Sequence, residues 1–147
     1  MAFAFSTGPL ENATPAGPSS ATVWTKVLNN HHHTRIRATV KVFRLNGYKT
    51  LLSQTSFKVD PMASRFTFMD VSAAPQFEVQ ISICPGRDPD DVLVSVFGKD
   101  LAGNLNPSHR LVQQELTPIG DLSFTDDDPD DTDPSGRPAD SGDDPGA

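Results

Sequence analysis

The segment from Val92 to Val112 is the feature that most restricts how this chain can fold. Residues 92–97 read Val-Leu-Val-Ser-Val-Phe, so an extended chain places three valines on one side and Leu93 and Phe97 on the other. The following residues, 100–104, include Asp, Gly and Asn, which favour tight turns, and Pro107 disturbs a regular β ladder. This pattern predicts a β-hairpin whose first strand is buried on both faces.

The rest of the chain repeats the same kind of pattern at intervals of roughly ten residues. The segment Gln76–Ile83 alternates polar and apolar residues without a break, and no window shows helical spacing over three turns. We therefore predict an all-β fold, a single antiparallel β-sandwich of about seven or eight strands, either immunoglobulin-like or jelly-roll. The predicted strands are 22–28, 35–42, 48–54, 55–59, 64–71, 76–83, 92–97 and 109–116.

Two local features of the second predicted strand are more specific. The alternation of apolar and polar residues slips by one position at Phe43, which predicts a β-bulge there. The dipeptide Asn46-Gly47 follows, and Asn-Gly favours a two-residue type I′ turn with positive φ at both positions. We therefore expect a tight hairpin at residues 46–47.

Charge and composition divide the chain into three parts. Residues 120–147 contain ten Asp and one Arg, and no apolar side chain larger than Pro or Ala follows Asp126, so we expect a disordered acidic tail. Residues 1–119 then carry a net charge of about +2. We predict a flexible N-terminal arm at 1–20, a β-sandwich domain at 21–119 and the tail at 120–147.

The N-terminal arm contains two aromatic residues, Phe3 and Phe5, that share one side of an extended segment. They are candidate interaction residues, which could lie on a neighbouring subunit or on their own domain, although a frayed terminus is the alternative. No secretory signal and no membrane span are recognisable, so we expect a cytoplasmic product, or one exported by another route, with no membrane insertion.

Few residues suggest a metal site. Asp88, Asp90 and Asp91 cluster in one loop and are weak candidates for a cation site. The run His31–His33 lies in a predicted loop, where neighbouring side chains diverge and do not form a site of definite geometry. The single cysteine, Cys84, excludes an internal disulfide and is expected to be a partly buried thiol at a strand end. We therefore predict no resident metal or cofactor.

Catalytic and nucleic-acid-binding patterns are also missing from the sequence. His109 has no nucleophile or carboxylate at a spacing that predicts a catalytic arrangement, so no catalytic residue is assigned. Arg35, Arg37 and Lys41 form a basic stripe without interleaved aromatic residues, which argues against nucleic-acid binding. Trp24 lies in an apolar strand and is expected in the core, so few exposed aromatic rings remain on which a sugar could stack.

Eight short segments carry a resemblance through their order and spacing. They are Ser6–Pro9, Thr22–Trp24, Val42–Gly47, Phe77–Gln80, Val94–Asp100, Gly103–Leu105, His109–Arg110 and Glu115–Thr117. Together they resemble a family of small exosporium-type and related spore-surface proteins of endospore-forming bacteria. The resemblance covers roughly residues 5–119 and implies a structural, non-enzymatic β domain deposited on the spore exterior without a signal peptide. The acidic extension after Ile119 and the Asp-rich loop at 88–91 have no counterpart in that resemblance.

Two hypotheses for function follow. The first is a non-enzymatic structural or interaction protein of a bacterial spore surface, or a comparable extracellular layer, that assembles with itself or with other surface proteins through strand edges and the N-terminal arm. The alternative is a carbohydrate-binding or surface-binding β-sandwich module, which would require an exposed Trp24. A hydrolase is the weakest hypothesis, since no paired carboxylates are evident.

Overall fold

The computed structural model describes residues 3–85 and 91–120, and in these ranges the chain is all-β. The predicted all-β class and the antiparallel pairing of the strands are confirmed, but the described residues form twelve strands, more than the predicted seven or eight. They are β1 (Phe3–Ser6), β2 (Leu10–Glu11), β3 (Ala13–Thr14), β4 (Gly17–Pro18), β5 (Thr22–Asn29), β6 (Ile36–Leu45), β7 (Lys49–Val59), β8 (Ala63–Asp70), β9 (Gln76–Cys84), β10 (Val92–Lys99), β11 (Leu105–Val112) and β12 (Thr117–Ile119).

The strands form two main sheets. A six-stranded sheet has the order β12-β1-β9-β6-β7, with β2 also paired to β9. A four-stranded sheet has the order β11-β10-β5-β8, and β3 and β4 form a separate small hairpin. The 3-10 turn Gln113–Glu115 precedes β12. Because the chain crosses between the two main sheets several times, residues distant in sequence meet in one core.

The hydrophobic core takes one face from each main sheet. Strands β5 and β10 contribute valines from the four-stranded sheet, and β6, β7 and β9 contribute aliphatic and Phe side chains from the six-stranded sheet. The period-two pattern explains this, because alternate side chains of each strand point into the core. Burial of each such side chain stabilises the fold by about 1.5–3 kcal/mol. The central members are Val23, Val27, Val40, Val59, Phe77, Val79, Ile81, Ile83, Val92 and Val96.

The predicted flexible arm at residues 1–20 is not separate from the domain. Strand β1 pairs antiparallel with both β9 and β12, and therefore lies inside the six-stranded sheet. Asn12 is fully buried, and its side-chain amide nitrogen contacts the carbonyl oxygens of Ser20, Val71 and Ala74 at 3.0–3.1 Å. The described part of the predicted arm is consequently part of the β domain. The sequence did not show this because β9, which pairs with β1, and two of the three Asn12 partners, Val71 and Ala74, lie 59 or more residues away.

Local turn chemistry was predicted with mixed success. The ladder between β6 and β7 shifts register between Val42 and Phe43, so the predicted bulge is confirmed. The hairpin at Asn46-Gly47 is also present, but only Gly47 has positive φ (94°), and Leu45 pairs with Lys49. The loop therefore has three residues and is not a two-residue type I′ turn. The two strands predicted at 48–54 and 55–59 are one continuous strand, β7.

Candidate interaction surface

The outer face of the four-stranded sheet is the least expected feature of the fold. Val92, Val94 and Val96 of β10 are buried, whereas Leu93 on the opposite face is exposed. The prediction that β10 is buried on both faces is therefore wrong. Among the described strands none covers this second face, so its apolar side chains meet solvent. We call this face, formed by β11, β10, β5 and β8, the outer face.

Trp24 lies on the outer face and is half-buried, so the prediction that it belongs to the core is wrong. Strand register places Trp24 between Phe97 of β10 and Phe68 of β8. The Trp24 ring lies 4.6 Å from the Phe68 ring and 6.2 Å from the Phe97 ring, measured between centroids and with nearly parallel planes. Phe66 also contacts Trp24, at 5.4 Å. We call these four side chains the aromatic row.

The exposed apolar area extends beyond the aromatic row. Phe66 and Phe68 are 53% and 55% exposed. Leu28, Leu93 and Val112 are also exposed large hydrophobic residues on the same four strands. Single exposed apolar residues are ordinary, but a contiguous group on one face is typical of an interaction site. The outer face is therefore the strongest candidate interaction surface in the described structure.

Cationic side chains accompany the aromatic rings. The Lys99 ammonium lies 4.1 Å from the centre of the Trp24 ring, and the Lys26 ammonium lies 5.9 Å from the centre of the Phe97 ring. Arg110 of β11 pairs in register with Phe97. Attraction between a cation and the negative face of an aromatic ring contributes about 0.5–1 kcal/mol at exposed sites. These contacts hold the Lys99 and Lys26 side chains over the outer face.

Strand β8 forms one edge of the four-stranded sheet. Within the described ranges β8 pairs with β5 alone, over all eight residues from Ala63 to Asp70. Its sequence contains no proline, which commonly protects an edge strand, although Arg65 and Asp70 are charged. Arg65, which alternates with the outward-facing phenylalanines, lies with its guanidinium 5.4 Å from the centre of the Phe57 ring. The backbone of β8 is thus available for pairing with another strand.

The predicted interaction residues Phe3 and Phe5 lie against their own domain. Phe5 belongs to the buried core, and Phe3 packs against that core from a partly buried position. Their rings meet edge to face, with centroids 5.7 Å apart. They therefore share a side, as predicted, and they contribute to internal packing in the described chain.

His109 is buried and fully hydrogen-bonded. Its Nδ1 lies 2.6 Å from the hydroxyl of Ser20, and its Nε2 lies 2.7 Å from the carbonyl oxygen of Glu11. Phe77 packs edge to face against the ring at 5.2 Å. A serine beside a histidine is a nucleophile arrangement in hydrolases, but Ser20 is completely buried and no substrate reaches it. This cluster joins the N-terminal segment to β11 and is structural.

The predicted cation-site residues are only partly described. Asp88 and Asp90 lie outside the described residues, whereas the Asp91 carboxylate lies 3.4 Å from Nδ1 of His31. His32 and His33 contact each other at 6.3 Å between ring centroids. In residues 3–85 and 91–120 no group of three or more His, Cys, Asp or Glu side chains could hold a metal ion. Cys84 ends β9, as predicted, but its side chain is exposed.

The basic stripe predicted on β6 is not a continuous exposed surface. Arg37 is exposed, but Lys41 is completely buried. A polar cluster lies nearby, where Glu78 accepts a hydrogen bond from Ser6 and forms a 2.8 Å ion pair with Lys49. Burial alone raises the pKa of Glu78, but hydrogen bonds from Lys49, Ser6 and Gln80 outweigh it and hold that pKa below its usual range.

One signal in the sequence could have identified the outer face. Lys26 has the same phase as Trp24 in β5, and both alternate with Val23, Thr25 and Val27, which are buried. A lysine on the same side as a tryptophan indicates that this side meets solvent. No comparable signal distinguishes Phe66 and Phe68 from core residues, because both faces of their strand mix polar and apolar residues.

Comparisons with known proteins add no family assignment. No helix in the described residues is long and apolar enough to span a membrane. No protein-family model, no curated protein and no solved structure matches this chain.

Proposed function

We propose that this protein is a non-enzymatic structural protein that associates with a second copy of itself through the edge of β8. The observation that carries the proposal is the edge of β8 that faces away from β5, which pairs with no other described strand, together with Phe66 and Phe68, which are more than half exposed beside it. Pairing of two such edges would extend the four-stranded sheet and cover both phenylalanines. Edge strands with exposed apolar residues are the usual sites of strand addition.

The sequence of β8 suits antiparallel pairing with itself. If Thr67 lies opposite Thr67 of the second copy, Phe66 lies opposite Phe68 twice and Arg65 lies opposite Met69 twice. Aromatic pairs directly opposite each other contribute about 0.2–1 kcal/mol each. This register places no two like charges opposite each other, since Ser64 then faces Asp70. Moving one strand by one residue would place Phe66 beside side chains of the inner face.

Face-to-face stacking of two outer faces is a weaker arrangement. Lys26 of β5, Lys99 of β10 and Arg110 of β11 all lie on this face. A two-fold axis through the face would bring these cations close to the same cations of the second protein molecule, and the like charges would repel each other. The β8 edge lies on the far side of β5 from β10, so edge pairing avoids this repulsion.

A carbohydrate-binding module is less well supported. Trp24 is accessible, as this alternative requires, but Phe68 stacks on its ring and the Lys99 ammonium lies 4.1 Å from the ring centre. A sugar that stacked on Trp24 would first have to displace one of these contacts. Tyr48 is highly exposed but lies at the tip of the β6–β7 hairpin, away from the aromatic row.

Sedimentation equilibrium over a wide range of protein concentrations tests the proposal. We expect the wild-type protein to form dimers, and Phe66→Glu to weaken the dimer at least tenfold because a buried carboxylate would lie opposite Phe68. Lys26 lies opposite position 66 within the chain, so this glutamate is compatible with the fold. Tyr48→Glu is the matched control and should leave the association unchanged. A strictly monomeric wild-type protein would exclude self-assembly.

A mixing experiment tests the register. Phe68→Lys should also weaken self-association, because an ammonium group would lie opposite Phe66. A mixture of Phe66→Glu and Phe68→Lys proteins should form mixed dimers, since one opposite pair becomes Glu and Lys and the other remains two phenylalanines. If mixed dimers are no more stable than either homodimer, the proposed register is wrong.

We propose an immunoglobulin-like sandwich as the finer description of the fold. It is supported by β9 lying beside β6 in one sheet and β8 beside β5 in the other, with short crossings between the sheets. We also propose a surface layer such as the exterior of a bacterial spore as the setting. The segments that resemble spore-surface proteins support this setting, and expression timed to sporulation would test it.

A further inference from the structure

A groove of about 680 Å³ crosses the outer face between β10 and β11. Phe97, Leu105, Pro107 and Val112 supply apolar walls. Pockets of 300–1,000 Å³ with mostly apolar walls and a few polar groups are typical ligand sites. The groove lies toward β11, at the edge of the sheet opposite β8, and no residue of β8 lines it.

The groove carries three cations and no carboxylate. Lys26, Lys99 and Arg110 line it, and its other lining residues are uncharged. None of the three makes an ion pair with another residue in the described ranges. The cation–π contacts hold Lys99 and Lys26 in place without neutralising them. The charge of the groove is therefore complementary to an anion.

A second groove of about 580 Å³ continues the first. The two share Lys26, Ser95 and Val112 as lining residues, and the second is also lined by Leu28 and Leu93. From Leu93 to Lys99, six residues of extended strand span about 20 Å. The combined trough thus has an apolar end at Leu28 and Leu93 and a cationic end at Lys99 and Arg110.

We propose that this trough binds a free long-chain carboxylate of the fatty-acid type. Arg110 and Lys99 bind the carboxylate, and the hydrocarbon chain lies along Phe97 and Val112 toward Leu93 and Leu28. The aliphatic stem of Lys26 lines the middle of the trough, and its ammonium lies 5.9 Å from the centre of the Phe97 ring, toward the cationic end. An elongated ligand with one charged end matches the separation of charge and apolar area along the trough.

Binding of dodecanoate, measured by the fluorescence of Trp24 and by calorimetry below its micelle concentration, tests the proposal. Trp24 is the only tryptophan in the chain and contacts Lys99, so occupation of the trough should change its emission. We expect dodecanoate to bind at least tenfold more tightly than dodecanol, which has the same chain length and no charge. Equal affinity for the two would overturn the proposal.

Two substitutions locate the carboxylate. Arg110→Gln and Lys99→Gln should each weaken dodecanoate binding about tenfold and leave dodecanol binding unchanged. Lys58→Gln removes an exposed cation from β7 of the other sheet and should change neither. Unaltered far-UV circular dichroism and melting temperature confirm that each variant is folded. If Arg110→Gln and Lys99→Gln both bind dodecanoate as the wild type does, or if only anionic phospholipid vesicles bind, the proposed site is wrong.

Discussion

Replacement of Asn12 by alanine should strongly destabilise the domain. The Asn12 side-chain nitrogen donates toward three carbonyl oxygens, and its oxygen accepts a hydrogen bond from the backbone N–H of Ser20 at 2.7 Å. Its two N–H hydrogens and one acceptor correspond to about three net hydrogen bonds, or about 3 kcal/mol of lost stability. For a domain of this size the melting temperature should fall by about 10 °C.

Urea denaturation of the Asn12→Ala protein measures this loss, with Asn46→Ala as the matched control. Asn46 is exposed in the β6–β7 loop, and its replacement should change stability by about 0.5 kcal/mol or less. A loss below about 1 kcal/mol for Asn12→Ala would refute the view that this amide links the N-terminal segment to the turn after β8.

The isosteric Asn12→Asp variant separates hydrogen bonding from packing. Its carboxylate would be buried among three carbonyl oxygens, so both burial and repulsion raise its pKa above the unfolded value. The variant should therefore be least stable at neutral pH, and its deficit relative to Asn12→Ala should shrink as the pH falls and the carboxyl is protonated. A deficit that does not depend on pH would contradict this environment for residue 12.

Two other predictions concern close packing and charge. Gly98→Ala should destabilise the fold by about 1–3 kcal/mol, because a Cβ at this position would lie 2.1 Å from the Ser20 hydroxyl. The double variant Gly98→Ala with Ser20→Gly should recover part of this lost stability, as measured by thermal unfolding. Glu78→Gln should cost about 1 kcal/mol or less at neutral pH through the lost ion pair with Lys49. The folded-state pKa of Glu78 is below the ordinary value of 4.5, so this stabilisation is present above pH 4.5 and is lost as the pH falls through the lower folded-state pKa. The stabilities of wild type and Glu78→Gln should therefore converge in acid. Equal stability of the two proteins at neutral pH would contradict this role of Glu78.

Local chemistry made part of the fold predictable. The bulge after Val42, the hairpin at Asn46-Gly47 and the turn at Asp100 all follow from residues adjacent in sequence. Asp100 accepts hydrogen bonds from the backbone N–H groups of Ala102 and Asn104, as short polar side chains in turns commonly do. The type of the Asn46-Gly47 turn was not predictable, because the pairing of Leu45 with Lys49 depends on register along the whole of β6 and β7.

The position of the candidate site was not predictable from any single strand. A period of two shows which side chains share a face, but it does not show which face another sheet covers. Trp24 and Val23 are both apolar, yet Val23 is buried and Trp24 lies on the outer face. The convergence of Lys26, Lys99 and Arg110 depends on the order β11-β10-β5, which brings together strands separated by about 70 residues.

Local residue patterns were enough to predict antiparallel strands, the positions of most of the long strands and the side chains that share each face, because alternation and turn preferences act between neighbouring residues. The packed fold was needed to show that the N-terminal segment belongs to the six-stranded sheet, that His109 and Asn12 are buried in hydrogen-bonded clusters, and that the aromatic row faces outward. These features depend on contacts between distant segments. Such contacts form only when the two sheets pack, and the free energy of that packing depends on all strands together.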